Sequence, residues 1–327
     1  MTVLVTGGAG YIGSHTVRQL RELGRPVVVL DSLDTGHAEA VLDATLVVGD
    51  IADEQLIAAL CRDHGVTAVV HFAAHKNVGE SMRSPSKYWR NNVEGSARLI
   101  DSVVSAGVST FVFSSSCSVY GTPSVVPVTE AAPISPESIY ADTKAMTERI
   151  LHWYGITSGL RTVSLRYFNA AGASLDNRIG EDWAHSANLI PVVMKAALGL
   201  RQAVQVFGTD YPTPDGTAIR DYIHVSDLAN AHVLALDYLA SGGESCALNL
   251  GTGTGSSVLD VVRATERIAG HAVPLELTSR RLGDPISVYA DPSLVQRTLG
   301  WAPLYGLDTI IDTAWRWHST HPEGYQT

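Results

Sequence analysis

The first half of the chain alternates short β-branched runs with amphipathic stretches. Val3 to Thr6, Val27 to Leu30, Thr45 to Val48, Ala68 to Phe72, Thr110 to Phe113 and Thr162 to Arg166 predict strands, being short, apolar and rich in Val, Thr and Phe. Between them apolar residues recur at helical spacing, which predicts helices over Tyr11 to Leu23, Gln55 to His64, Tyr88 to Ala106 and Ile139 to Tyr154. Strands that are apolar at nearly every position need cover on both faces, so their alternation with helices predicts a parallel sheet. Right-handed crossovers make this an α/β fold with a doubly wound parallel Rossmann sheet.

The texture changes after Phe168. Gly, Pro, Asn and Asp become frequent over Asn169 to Asn188 and again over Gly208 to Gly216, around a helical pattern at Leu189 to Leu200. Loops of this kind line sites more often than they build cores. Val225 to Leu239 predicts another helix, capped by Ser226 or Asp227. Ala247 to Leu250 reads as a buried strand, and Ser257 with Asp260 as a capping box that opens a helix to Ala269. The expected division is residues 1–168, to which the chain returns around 218–250, and a smaller, interleaved α/β unit over 169–327.

Composition narrows the function. The 327 residues are 45% hydrophobic and 17% charged, ordinary for a globular protein. The net charge is −10 and there is no basic tract, which argues against nucleic acid and against an anionic membrane surface as partners. No apolar run reaches the ~20 residues that span a bilayer. The opening MTVLVTGGAGYIG enters a strand at once, without a charged leader region. Cys61, Cys117 and Cys246 show no metal spacing and fit reduced thiols in a cytoplasmic protein. The twelve histidines form no ligand pattern, so no metal site is expected.

The candidate chemistry starts at Gly7-Gly-Ala-Gly10-Tyr11-Ile12-Gly13, between the first strand and the first helix. Glycine lets the backbone turn sharply and approach a pyrophosphate, and the helix N-terminus adds amide hydrogens and positive dipole. Asp31 follows eighteen residues after Gly13, at the end of the second strand. A carboxylate there accepts hydrogen bonds from a ribose diol and repels a 2′-phosphate, which favours NAD over NADP; a helix or turn cap is the competing explanation. Asp50 and Ile51 are similarly placed for the adenine side. Phe72-Ala73-Ala74-His-Lys76 follows the fourth strand, its small residues leaving room for a cofactor and Lys76 lying near the ribose. Further on, SSSCSVYG ends at Gly121, and Tyr140 precedes Lys144 by four residues, which puts both on one helix face. A cation beside a phenol favours phenolate. Reaching a useful base near neutrality takes a shift of about three units from ~10, or ~4 kcal/mol. Spacing alone fits an ordinary surface helix better, since short motifs match by chance.

VLVTGGAGYIGSHT, HFAAHKNVGES, NNVEGS, FSSSCSVYG, YADTK, LRYFNAAGA, RDYIHVSDLA, NLGTGTGSSVLDVV and RRLGDP together resemble the UDP-glucose 4-epimerase (UDP-galactose 4-epimerase) family of the extended short-chain dehydrogenase/reductase superfamily, from the first strand to about Pro322. NVGES, RDYIHVSDLA and the loop from Asp210 to Thr217 are the more particular signals. The resemblance implies an isomerase that interconverts UDP-glucose and UDP-galactose with tightly bound NAD. It implies Tyr140 as acid/base, Lys144 on the nicotinamide ribose and Ser116 on the reacting hydroxyl. It implies that Asn91 helps hold the cofactor and that Phe168 and Asn169 lie between cofactor and sugar nucleotide. Asn188, Leu189, Gln205, Val206, Phe207, Arg220, Arg281 and Asp284 would bind the UDP-hexose. Forked arginine donors suit a diphosphate, although taken singly either arginine fits a solvated surface.

In that scheme the phenolate takes the proton of the sugar 4-hydroxyl while C4 gives up hydride, and the 4-keto sugar turns before hydride returns. A 4,6-dehydratase-type lyase on the same fold would carry an acid at position 117 or 118, where this chain has Cys117 and Ser118. An NAD-sensing regulator would lack the Tyr140–Lys144 pair, and a net dehydrogenase would have to exchange its cofactor. Val288 stands where the family gates the sugar C2 substituent, and its small size suggests that UDP-N-acetylglucosamine also fits, even as the main substrate; simple core packing is the alternative. The family is usually homodimeric through the helices at Tyr88 to Ala106 and Ile139 to Tyr154. Their surplus of apolar residues, such as Val93, Leu99 and Val104, also fits a doubly wound core.

Overall fold

The strands that the hydrophobic pattern predicts line up side by side. In the computed structural model, which describes residues 1–327 apart from His185, Leu282, Gln326 and Thr327, they are β1 (Thr2–Thr6), β2 (Val27–Asp31), β3 (Thr45–Val48), β4 (Val66–His71), β5 (Thr110–Ser114) and β6 (Arg161–Tyr167). The later strands are short: β7 (Asn169–Ala171), β8 (Val204–Phe207), β9 (Ile219–Arg220), β10 (Tyr222–His224), β11 (Cys246–Leu250), β12 (Ser256–Ser257), β13 (Leu275–Thr278) and β14 (Ser287–Val288). The helices are α1 (Tyr11–Glu22), α2 (Glu54–His64), α3 (Val78–Arg83), α4 (Pro85–Tyr88), α5 (Ser96–Ser105), α6 (Ile139–Ser158), α7 (Leu189–Ala197), α8 (Val225–Ala240), α9 (Val258–Ala269), α10 (Ser293–Leu299) and α11 (Leu307–Thr320). None of these helices is long and apolar enough to cross a membrane.

Seven strands form one parallel sheet in the order β11-β6-β5-β4-β1-β2-β3. The order reverses between β1 and β4, so the crevice at their C-terminal ends is the place where such sheets bind ligands. Alternate side chains feed two cores. Val3, Val5, Val29, Val70 and Leu165 pack with Leu228, Leu236 and Leu239 of α8 on one face. Leu4, Val28, Val69 and Phe111 pack with Ile57 of α2 and Leu99 and Ile100 of α5 on the other. β11 pairs in register with β6, Leu248 opposite Leu165, so the apolar run after residue 245 closes the sheet. A third core joins Ile190 and Met194 of α7, Val261 and Val262 of α9 and Ile310 and Ile311 of α11.

Two local expectations change. The helix predicted over Tyr88 to Ala106 is broken: α4 ends at Tyr88, Trp89–Gly95 forms a wider π-type turn, and α5 begins at Ser96. Such turns cluster at functional sites. Here the turn presents Asn92, whose amide clamps the His75 backbone, accepting from His75 N at 2.9 Å and donating to His75 O at 2.9 Å. The cap of α8 is not Ser226 or Asp227. The His224 ring accepts from Ser226 N at 3.1 Å, while the Asp227 carboxylate is buried and accepts from Leu304 N and Tyr305 N, both at 3.1 Å. The capping box of Ser257 and Asp260 forms as expected.

Candidate active site

Gly7 in the loop between β1 and α1 and Gly13 in the first turn of α1 have no room for a side chain. Gly7 has φ +72°, and a Cβ on it would lie 2.5 Å from Ala73 N; a Cβ on Gly13 would lie 2.2 Å from Gly7 O. The loop therefore presses against the turn after β4, where Phe72 N and Ala73 N both donate to Thr6 O at 2.8 and 3.1 Å. At its end α1 starts, and the first turn of a helix leaves its amides without helical partners. Asp31, buried at the end of β2, does two things. Its Oδ2 accepts from Ala9 N of the glycine loop at 2.9 Å and its Oδ1 from Leu33 N at 2.9 Å. It is thus a turn cap that also fixes the loop, and each oxygen keeps a lone pair for a ribose hydroxyl. The loop shape, the free amides and this carboxylate fit a dinucleotide.

The other expected cofactor residues divide. Ala73, Ala74 and the exposed Lys76 border the same crevice, Lys76 Nζ lying 6.0 Å from the Tyr11 ring centre. The Tyr11 hydroxyl donates to Gly172 O at 2.6 Å and ties the glycine loop to the segment after β7. Asp50 is exposed and its carboxylate accepts from Ala52 N at 2.8 Å. The Ile51 side chain is buried in the core against Gly95, so only its backbone can face a ligand. Asn91 donates to Asn92 Oδ1 at 2.9 Å; the neighbour that was not foreseen, Asn92, makes the buried contacts.

Tyr140 and Lys144 both point into the fold. They lie in the first turns of α6, which Ser138 caps by accepting from Ala141 N at 3.2 Å. Tyr140 is 9% exposed and Lys144 4%. Lys144 Nζ donates to Ser114 O at 2.8 Å and lies over the Phe113 ring, 4.8 Å from its centre. Ser116 caps the short turn Cys117–Tyr120. Its Oγ accepts from Ser118 N at 3.2 Å and from the Ser118 hydroxyl at 2.9 Å. With both lone pairs taken, the Ser116 proton is left to donate elsewhere. The electrostatics correct one expectation. Burial pushes the Tyr140 phenol well above the ordinary tyrosine range, Tyr167 adds to this, and only the Ser116 hydroxyl draws it back in part. Burial also lowers the Lys144 ammonium to about 7, partly offset by Glu148. The cation lies 5.9 Å from the Tyr140 ring centre and spends its hydrogen bond on a carbonyl, so desolvation wins over pairing. Cys117, one of the two positions where a lyase would need an acid, carries a thiol that burial pushes up to about 12.

The residues expected to bind the nucleotide gather on the short strands. β9 pairs with β14, Arg220 opposite Val288, and with β12, Arg220 opposite Ser256. Arg220 is ion-paired with Asp284 and donates to Ile219 O at 2.7 Å, so its fork is oriented but already partly used. The Arg281 guanidinium stacks 4.2 Å from the centre of the Phe207 ring. Along β8 the side chains alternate: Gln205 is exposed and donates to Glu276 at 3.2 Å, whereas Val206 is wholly buried, which removes its side chain from any binding role. Asn188 is exposed just before Leu189, the first residue of α7, and makes no side-chain bond to the helix. Asn169 donates from Nδ2 to Asp221 O at 2.9 Å, and Phe168 is buried beside it. Val288 packs on the large core, with Arg220 as its neighbour. Sequence reading missed Asp221. Its buried carboxylate accepts from Thr252 N at 2.9 Å, Thr252 Oγ1 at 2.6 Å and Ala290 N at 3.1 Å, anchoring the strand that carries Arg220.

The chain is similar to known proteins along almost its whole length. The NAD dependent epimerase/dehydratase family matches residues 3–251. A UDP-glucose 4-epimerase of Halalkalibacterium halodurans is 48% identical over 328 residues, covering 100% of this chain and 98% of that protein. The crystal structure of UDP-glucose 4-epimerase from Brucella ovis in complex with NAD superposes with a TM-score of 0.94 at 47% identity, over 96% of this chain and 97% of the other. A UDP-glucose-4-epimerase from Stenotrophomonas maltophila with bound NAD and formylated UDP-arabinopyranose gives a TM-score of 0.96 at 43% identity, over 99% of each.

Proposed function

We infer that this chain, which belongs to the NAD dependent epimerase/dehydratase family, interconverts UDP-glucose and UDP-galactose at C4 of the hexose. One observation carries the reading: Ser116, Tyr140 and Lys144 converge beyond the C-terminal end of β5, beside the crevice bordered by Gly7, Gly13 and Asp31. Those last three, with the amides of α1, would hold NAD, whose positive nicotinamide ring would be the reversible hydride acceptor. Tyr140, as phenolate, takes the proton of the sugar 4-hydroxyl and later returns it. Ser116 donates its free proton to the same oxygen. Lys144 holds positive charge against Ser114 O, in a site dry enough that charges act strongly. Arg220 and Arg281 bring the charge that a diphosphate needs, with Asp284 orienting the first. A UDP anchor with a loosely held sugar lets the 4-keto hexose turn without escaping.

Cys117 and Ser118 offer no carboxylic acid for elimination, which favours epimerisation over a 4,6-dehydratase-type reaction. The small Val288 beside Arg220 supports acceptance of UDP-N-acetylglucosamine as well. The three free cysteines support a cytoplasmic setting, and an apolar stripe on α6 supports a homodimer. Incubation with UDP-galactose, with no NAD added, is expected to yield UDP-glucose, and UDP-N-acetylglucosamine is expected to yield its 4-epimer in a parallel assay. Release of a keto sugar, or steady growth of the reduced-nicotinamide absorbance, would contradict the epimerase reading.

A further inference from the structure

Behind the proton-transfer pair lies a buried ion pair that the mechanism above does not use. Glu148 follows Lys144 by one turn of α6 and is nearly buried, as is its partner Arg166 on β6. Glu148 Oε1 accepts from the Ser115 hydroxyl at 2.5 Å and from Arg166 Nε at 3.0 Å, and Oε2 accepts from Arg166 Nη2 at 2.5 Å. Arg166 Nη1 donates to the Tyr120 hydroxyl at 2.9 Å, which donates to Asn249 Oδ1 at 2.7 Å. The unit therefore grips the active segment on both sides of Ser116, at Ser115 and at Tyr120. It also borders the Lys144 anchor, because Ser114 O, which holds Lys144, belongs to the residue before Ser115.

Glu130 accepts from Asn249 N at 2.7 Å at the far end of this network, and Asp221 and Arg220 act on Cys117; several other titratable neighbours are neutral at working pH. From β4, His71 is held neutral by burial, which lowers it to about 3. From α8, His232 is lowered to about 4. Tyr167 of β6 and Cys117 are pushed up to about 12. Phe113 and Ser114 of β5 carry no charge. Within the network the charged groups are Lys144, Glu148 and Arg166, and Glu148 raises the proton affinity of Lys144. A buried ion pair is weak evidence for stability, since apolar replacements often do as well. Its placement against a catalytic ammonium calls for another use.

We propose that Glu148, braced by Arg166, is a positioning residue for the reaction: through Ser115 it fixes the Ser114–Ser116 segment, and its negative charge keeps Lys144 an ammonium ion. The proposal rests on the reading of Tyr140 and Lys144 as the proton-transfer pair. Removing a negative charge lowers the proton affinity of its neighbours. E148Q should therefore move the alkaline limb of the kcat/KM profile towards acid by about one pH unit. Because an unpaired Arg166 can unfold the protein, E148Q/R166M serves as the second variant, with the limb expected to move in the same direction by a smaller amount. S115A keeps the charge and loses the tether, so kcat should fall several-fold with the limb unmoved. Near-ultraviolet circular dichroism and NAD content confirm that each variant is folded. If the limb stays at its wild-type position in both charge variants, or S115A keeps full kcat, the proposal is overturned. Full activity of a Tyr140→Phe protein would instead overturn the proton-transfer reading beneath it.

Discussion

At the scale of single residues, Tyr140 faces two opposed demands. In the proposed mechanism it must reach phenolate, yet burial raises its pKa and Lys144 sits too far off to compensate alone. On that proposal the positive ring of bound NAD would be the remaining source of stabilisation, so the phenol should be most acidic when the cofactor is oxidised and bound. Tyr140→Phe is expected to fold, to copurify with NAD and to lose at least ~100-fold in kcat, the usual scale for a missing general base. Turnover within tenfold of wild type would remove Tyr140 from the mechanism. The pair and Asp31 were legible in the sequence because their spacing carries chemistry. Glu148 and Arg166 were not. A charge on a helix reads as solvated surface, and nothing in the order of residues shows that Ser115 and Tyr120 lie around it.

At the scale of elements, α6 serves two surfaces. Tyr140, Lys144, Ala145 and Leu151 face inward, while Met146, Trp153 and Ile156 lie on the outer side, at 38%, 59% and 62% exposure. The spacing 146, 153, 156 follows the helical period, so the exposed side chains form a stripe. A stripe with Trp at its centre suits a helix-to-helix dimer contact. On the proposed homodimer, the wild-type chain is expected to have a dimer mass and Trp153→Glu a monomer mass at micromolar concentration, measured by light scattering, with NAD still retained. An unchanged dimer mass would place the contact elsewhere. The strands of the large sheet and most helix starts were readable within one or two residues, but α6 runs on to Ser158, four residues past the expected Tyr154, and α7 stops at Ala197, three before the expected Leu200. β7, β9, β10, β12 and β14 span only two or three residues. They have no period to read, and long-range pairing alone makes them strands. The π-type turn at Trp89–Gly95 hid inside a helical pattern because its apolar spacing barely differs from that of an α-helix.

At the scale of the whole molecule, the fold is sensitive to acid through its buried histidines. Burial lowers His15, His71 and His318 to about 3, and His224 and His232 to about 4. His15 and His232 donate from Nδ1 to carbonyls of Tyr11 and Leu228 at 2.8 and 2.7 Å, and among the described residues their Nε2 atoms have no partner. Protonation would bury an unsatisfied charge. In the unfolded chain the same side chains titrate near 6.5. The stability they contribute is fully present above pH ~6.5 and is lost as the pH falls towards the folded values. Each costs up to about 1.4 kcal/mol per pH unit within that window. Asp227, raised to about 6 by burial, acts the other way: the folded state takes its proton first, which returns stability between about 6 and the unfolded value near 3.9. Burial raises Asp221 and Glu181 in the same sense. Five histidines outnumber the three carboxyls, and each histidine window is wider than that of Asp227. The melting temperature should therefore fall steeply from pH 6.5 to 4.5, and the loss should be cooperative, because His71 bonds Ser96 of α5, His232 packs on Phe72 and His224 caps α8. Calorimetry across that range checks it; a flat melting temperature would mean that these histidines are hydrated or protonated in the native state.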